Sequence, residues 1–235
     1  MKENKLALVT GAGKRLGQRI AIYLAETGYD IIVHYSSSEA GALETKSKIE
    51  ALGRSAYLIQ SDLIELYAPR ELISEIKARH GRLDLLVNSA STFPEPNKIT
   101  SNHSLGKETE EEWEESISVN SRAPFFLTKY AAPLLKESKN GLVVNILDES
   151  IVDLAVSRAA HTISKNALKV ITELSAETFG EEFKTCALLL GNILPGEKMS
   201  KEEVAKVKWV GVQPVLDQLG VVIESGISGM IYEVR

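Results

Sequence analysis

Thr10-Gly11-Ala12-Gly13-Lys14-Arg15-Leu16-Gly17 joins two segments of different periodicity, and that junction decides the fold. Before it runs Leu6-Ala7-Leu8-Val9, short and wholly apolar, like a strand covered on both faces. After it, Leu16, Ile20 and Leu24 recur at helical spacing with Ala21 and Ala25 beside them. The glycines permit a tight turn and let backbone N–H groups approach a pyrophosphate at the helix N-terminus. A glycine cluster alone is compatible with a plain turn. The strand before it and the helix after it are the context that a dinucleotide-binding loop requires.

The alternation continues outward from this junction. Further strands are expected over residues 30–34, 56–59, 83–87, 142–146, 185–190 and near 230–234. Helices are expected over 39–52 and 65–79, with Gly28 and Gly53 as stops. Strands alternating with helices in this way predict an α/β fold: a Rossmann-type, doubly wound parallel sheet of about seven strands with helices on both faces. No composition break, repeat or linker divides residues 1–235, so one domain is expected. Two stretches interrupt the pattern. Residues 92–107 carry Pro94, Pro96, Asn97, Asn102 and Gly106, and end at Thr109-Glu110-Glu111-Glu112, a capping-box signature for a long helix. Residues 191–209 are polar, lysine-rich and contain Pro195-Gly196. Long loops after parallel strands are where such folds hold ligands, although either stretch is also compatible with a plain surface excursion.

Hydrophobic content of 44% and charged content of 25% are ordinary for a globular protein, and a formal net charge of −5 argues against a broad nucleic-acid surface. No run approaches the roughly 18 apolar residues of a membrane span. The lone Cys186, in an apolar run, reads as an inert buried thiol and fits a cytoplasmic location. The histidines show no metal-ligand spacing, so no metal is expected. Trp113 reads as a packing residue of the long helix and Trp209 as an anchor of the second loop, while the lysines at 198, 201, 206 and 208 read as a solvated face. The partner class left is a small molecule.

The end of the second strand bears on the cofactor. An acidic residue there would bond the ribose of NAD and repel a 2′-phosphate. The chain instead reads His34-Tyr35-Ser36-Ser37-Ser38, with no carboxylate until Glu39, and Lys14 and Arg15 lie in the first turn. Charge therefore favours NADP(H) over NAD(H), unless Lys14 and Arg15 are only solvated loop charges.

Together these features resemble the short-chain dehydrogenase/reductase family across essentially the whole chain. The glycine loop, Asp62-Leu63 after the third strand, Asn88-Ser89-Ala90-Ser91 after the fourth and Asn120 in the long helix occur in the family's order. His161-Thr162-Ile163-Ser164-Lys165 has the spacing of the family's Tyr-x-x-x-Lys signature, with histidine in place of tyrosine. Within the family, the glycine loop, Val33-His34-Tyr35-Ser36-Ser37-Ser38-Glu39-Ala40 and Asn88-Ser89-Ala90-Ser91-Thr92-Phe93 look like pteridine reductases, and so does Asp148, 13 residues before His161. The resemblance implies a cofactor lined by Gly11, Gly13, Lys14, Arg15, Leu16, Gly17, His34, Tyr35, Ser36, Ser37, Asp62, Leu63, Asn88, Ser89, Ala90 and Lys165. It implies a catalytic set of Asn120, Asp148, His161 and Lys165, and a substrate facing Ser91, Phe93, Asp148 and Asn192. It also implies a homodimer or homotetramer formed through residues 123–135 and 166–179. The chain departs from the pattern at His161, at Gly191-Asn192 where Pro-Gly is usual, and at its last strand, which stops where Asp-Gly-Gly would follow.

The replacement at 161 decides the chemistry. An imidazole changes charge near neutral pH and can act as a general acid, but it is shorter than a phenol, and proton transfer needs about 2.6–3.2 Å or a bridging water. Three readings follow. The first is an NADP(H)-dependent reductase of a small carbonyl or imine, a pterin among the candidates, with His161 or a water held by Asp148 and His161 as donor. The second is a dinucleotide-binding sensor or assembly subunit with little catalysis. The third is a reductase of 3-oxoacyl thioesters or hydroxysteroids.

Overall fold

A computed structural model describes residues 5–92, 108–152, 158–196 and 199–234. Seven strands form one sheet: β1 (Lys5–Val9), β2 (Tyr29–Tyr35), β3 (Ala56–Gln60), β4 (Leu85–Asn88), β5 (Leu142–Asp148), β6 (Lys184–Leu190) and β7 (Ile231–Val234). Their order is β3-β2-β1-β4-β5-β6-β7 and every pairing is parallel. The helices are α1 (Arg15–Glu26), α2 (Glu39–Ala51), α3 (Ala68–His80), α4 (Glu110–Ile117), α5 (Ala123–Lys136), α6 (Ala159–Phe179), α7 (Lys201–Ala205) and α8 (Gln213–Ser225). The doubly wound α/β architecture expected from the alternation is the one observed.

The side-chain period of two sorts each strand between two cores. Ala7, Val9, Ile31, Val33, Leu85 and Val87 face one side with Ile20 and Leu24 of α1, Ile49 of α2 and Leu219 of α8. Leu6, Leu8, Ile32, Leu86 and Val143 face the other with Leu72 and Ile76 of α3 and Leu127 and Leu135 of α5. A smaller cluster joins Leu168 of α6 to Leu147 and Leu189. This two-sided burial is why the strands read as unbroken apolar runs.

Several local expectations change. Helix α3 starts at Ala68 rather than at 65, because Pro69 lacks an N–H and fits only the first turn. The capping box is present: Thr109 Oγ1 accepts the Glu112 N–H and Glu112 Oε2 accepts the Thr109 N–H, each at 3.2 Å. The helix it starts is interrupted by a π turn, Ser118–Arg122, before α5 continues. Trp113 is 43% exposed rather than packed, because α4 lies against α6 and the π turn and not against the sheet. The stretch after β6 contains α7, and the Trp209 Nε1–H donates to the Val204 carbonyl at 2.8 Å, which anchors it. Cys186 is fully buried, and burial pushes its thiol up to about 11, as an inert residue requires. Phe93, the rest of the first loop and Lys198 lie outside the described residues.

Strands β1 and β4 are adjacent while their crossovers leave toward opposite edges, so a crevice opens at their carboxyl ends. The glycine loop occupies it and leans on α2. A methyl group at Gly41 would lie 2.0 Å from the Gly13 carbonyl oxygen. Helix propensity alone would make Gly41→Ala stabilising by about 1 kcal/mol. The backbone clash should reverse that sign, with a net loss of about 1–3 kcal/mol and a Tm lowered by roughly 2–10 °C in thermal melts.

Candidate active site

Thr10 fastens the loop to β4. Its buried hydroxyl accepts the N–H groups of Ser89 and Ala90, both at 3.0 Å, and donates to the Val87 carbonyl at 3.4 Å. Gly11 follows at φ +67°, and a Cβ there would lie 2.9 Å from the Ala90 Cα. Only glycine fits both the backbone and the approach. A methyl at Gly17 would fall 2.3 Å from the Gly11 carbonyl oxygen, so α1 also sits hard against the turn. The N-cap residue Lys14 makes no side-chain cap bond to α1, and the first N–H groups of a helix suit an anionic partner. The glycine cradle and this helix start fit a dinucleotide pyrophosphate.

The structure sorts the other expected cofactor residues into those facing outward and those used by the fold. Lys14, Ser36, Ser37 and Asp62 are exposed around the crevice, and Asp62 Oδ1 accepts the Ile64 N–H at 3.0 Å. Tyr35 is buried in one core and Leu63 in the other, while Leu16 is partly buried against the core that holds Tyr35. Asn88 is buried and donates to Asn145 Oδ1 at 2.8 Å; Asn145 in turn donates to Thr172 Oγ1 at 2.9 Å, which links β4, β5 and α6. Arg15, at φ 53°, turns its guanidinium onto the carbonyls of Pro195 (2.8 Å) and Leu194 (3.3 Å). It clasps the stretch after β6 instead of pointing into open solvent.

The His34 side chain is taken up by the fold. It is 2% exposed, its Nδ1 accepts the Gly11 N–H at 3.2 Å, and its Nε2 lies 3.1 Å from the Ser61 carbonyl. An N–H donor on one side and a carbonyl on the other select the neutral ring carrying hydrogen on Nε2. Burial pushes its pKa down to about 4, against weaker opposing effects of the Ser61 hydrogen bond and Asp62. The ring braces the loop from below and has no nitrogen left for a ligand.

The expected catalytic set does converge. Asp148 ends β5, His161 lies in the first turn of α6 with Lys165 one turn on, and Asn120 sits in the π turn. His161 Nε2 is 2.7 Å from Asp148 Oδ2, and Nδ1 is 3.0 Å from the Thr92 carbonyl. Asn120 Oδ1 accepts the Thr92 N–H at 3.0 Å, while its Nδ2 faces Ser164 Oγ at 3.1 Å and His161 Nδ1 at 3.4 Å. A π turn inserts one extra residue into a helix, and here it turns Asn120 inward. Lys165 is buried and donates to the Ile146 carbonyl at 2.9 Å. Burial lowers its pKa, and Asp148 partly opposes that. Burial also works to raise the Asp148 pKa, but hydrogen bonds from His161 and Ser150 and the charge of Lys165 outweigh it and hold the carboxyl well below its usual range.

Within this set His161 is 1% exposed, whereas the Asp148 side chain is 29% exposed. The carboxylate is thus the outer member of the pair. Ser91 and Asn192 are also exposed at the carboxyl edge of the sheet. Thr10, Thr92 and Ser164 take part in the site although the sequence had not singled them out as contacts. Only the position of Thr10 at the strand end carried a signal.

A family model described as short chain dehydrogenase matches residues 5–202. The chain belongs to that family. An uncharacterized oxidoreductase of Thermotoga maritima is 28% identical over 206 residues, covering 88% of this chain and 76% of that protein. A 3-oxoacyl-(acyl-carrier-protein) reductase of Staphylococcus aureus is 33% identical over 146 residues, 62% of this chain but only 56% of that enzyme's length. Among solved structures, an acetoin dehydrogenase from Enterobacter cloacae superposes with a TM-score of 0.87 at 25% identity, covering 100% of this chain and 95% of its own. An angucycline C-6 ketoreductase with bound NADP gives a TM-score of 0.87 at 22% identity over 98% and 93% of the two chains, which shows the fold. The family and the relatives' names make this chain an oxidoreductase of the short-chain type. No described helix is long and apolar enough to cross a membrane.

Replacing His34 with Phe leaves the part-buried Gly11 N–H without this acceptor, which costs about 1–3 kcal/mol. Because the folded His34 pKa (about 4) lies below its unfolded value of about 6.5, the stability tied to its neutral form is complete above that unfolded value and drains as pH falls toward 4. Urea unfolding should therefore show a deficit of His34→Phe at pH 7 that narrows by pH 4.5. A deficit that widens on acidification would contradict this assignment.

Proposed function

We propose that the protein is an NADP(H)-dependent reductase of a small carbonyl or imine, a pterin among the candidates, in which His161 and Asp148 deliver the proton. The observation that carries this reading is the 2.7 Å contact between a buried imidazole and a partly open carboxylate. A nicotinamide dinucleotide, when bound, supplies the hydride that adds to the substrate carbon. The chain's own residues then have to place the substrate and bring one proton to the oxygen or nitrogen that gains negative charge.

His161 in its doubly protonated form satisfies both acceptors beside it, the Thr92 carbonyl and the Asp148 carboxylate. The Nε2 proton is the one shared with Asp148, the more exposed member of the pair. Asp148 Oδ2 receives it as the acceptor builds up charge and passes it outward, so the substrate gains an O–H or N–H bond and the ring is left neutral. Asn120 holds Thr92 in place, and Lys165 contributes positive charge behind the carboxylate. An outward carboxylate favours substrates that donate N–H bonds or carry positive charge, as imines and pterins do, and disfavours anionic ones. Exposed Lys14, Ser36 and Ser37, with no carboxylate at the end of β2, support the preference for NADP(H). Exposed Phe125, Ile163, Val170 and Leu174 on α5 and α6 support a homodimer or homotetramer.

The Staphylococcus aureus relative favours a second reading, reduction of a 3-oxoacyl thioester. NADPH consumption with a dihydropterin, a cyclic imine, a neutral ketone and a 3-oxoacyl thioester separates the two. Under the first reading, His161→Phe and Asp148→Asn each lower kcat by about 100- to 10,000-fold with NADPH binding retained. His161→Tyr also lowers kcat, because the longer phenol cannot keep the contact with Asp148 in a site shaped around imidazole. A large gain from His161→Tyr would mean that histidine impairs the site. NADPH binding with no turnover of any panel member would favour the sensor.

A further inference from the structure

Helix α6 lacks the cap it needs from its own sequence. Arg158 at the N-cap makes no side-chain cap bond, although the first N–H groups of a helix require acceptors from outside it. They come from a residue 51 positions upstream. Glu108 Oε2 accepts the Ala159 N–H at 3.2 Å, and Glu108 Oε1 accepts the Ala160 N–H at 3.0 Å. Both oxygens are used, which fixes the carboxylate against the helix and sets a negative charge at its positive end. Glu108 is itself held: the next residue, Thr109, is the N-cap of α4 within a reciprocal capping box.

The residue that follows these two amides is His161. Its ring is held by Asp148 on one side and the Thr92 carbonyl on the other, and its backbone position depends on the first turn of α6. Lys165 lies one turn deeper and has its own anchor on the Ile146 carbonyl. An uncapped first turn frays, and the fray reaches His161 before Lys165.

We propose that Glu108 is a positioning residue for proton delivery: by capping α6 from the end of the β4–α4 connection, it holds His161 at contact distance from Asp148. Glu108 acts through the start of α6, and its kinetic consequence rests on the reductase reading above. The arrangement predicts a split. Loss of the cap impairs the proton step and spares cofactor binding, which depends on the glycine cradle.

The test compares Glu108→Ala and Glu108→Gln with the unaltered chain by steady-state kinetics, NADPH titration and proton NMR of the ring N–H groups after histidine-specific nitrogen labelling. Glu108→Ala should lower kcat by roughly 10- to 100-fold, since a misplacement of about 1 Å costs on the order of 100-fold. Its NADPH dissociation constant should stay unchanged. Glu108→Gln keeps an acceptor oxygen and should recover most of the activity. The His161 ring N–H signal should broaden or disappear in Glu108→Ala, while that of His34, bonded to the Ser61 carbonyl, persists as an internal reference. An unchanged kcat with an unchanged His161 signal would overturn the proposal. So would equal losses of turnover, NADPH affinity and the His34 signal, which would make Glu108 a general stability residue. If no panel substrate turns over, the reductase reading fails, and the His161 signal still decides whether Glu108 holds the ring.

Discussion

Parallel strands β1 and β4 lie side by side, yet the chain must leave them in opposite directions, and the gap that results has to be closed without a side chain. The Thr10 hydroxyl and the bare Cα of Gly11 meet that constraint together. Thr10 takes the two N–H groups that β4 presents as it ends, and Gly11 comes close enough to Ala90 that a methyl group would not fit. Everything above the sheet refers to this knot. The glycine loop leans from it onto α2, His34 supports it from β2, and the chain leaving β4 runs directly to Thr92, which Asn120 and His161 then hold.

The proton-handling side of the site follows a different logic. A buried imidazole between a carbonyl and a carboxylate is costly unless both contacts are made. Here both are made, and two further groups stiffen them: Ser150 on Asp148, through backbone and hydroxyl, and Asn120 on Thr92. The carboxylate is thereby kept ionised and the ring kept in one orientation. On the proposed reading, the change from phenol to imidazole moves the outermost acid–base atom from residue 161 to residue 148. Asp148 and His161 then function as one unit, because neither has the reach and the proton alone.

The sheet was legible from the sequence because its strands are buried on both faces and are punctuated by glycine and polar turns. The convergence of Asn120, Asp148, His161 and Lys165 was legible through the order and spacing of the motifs. The position of His34 at a strand end is the same whether the ring turns toward a ligand or under the loop. Only the burial of its ring and the donor at Gly11 distinguish the two. Arg15 shows the same limit. Charge near a phosphate loop is visible locally, but its partners at Leu194 and Pro195 are 179 and 180 residues away. That α4 misses the sheet and leaves Trp113 43% exposed is likewise not written in the residues around it.

Periodicity, glycine placement and motif order were enough to determine the layered fold, the position of the cradle and the grouping of Asn120, Asp148 and His161 with Lys165 one turn away. These are properties of short segments, whose burial and turn chemistry are written locally. Contacts between segments decided the rest: that His34 is a brace, that Arg15 is a clasp, that Asp148 is the outer member of its pair, and that Glu108 completes a helix far downstream. A hydrogen bond depends on where two groups come to lie in space, and no local pattern records a partner that only folding brings within 3 Å.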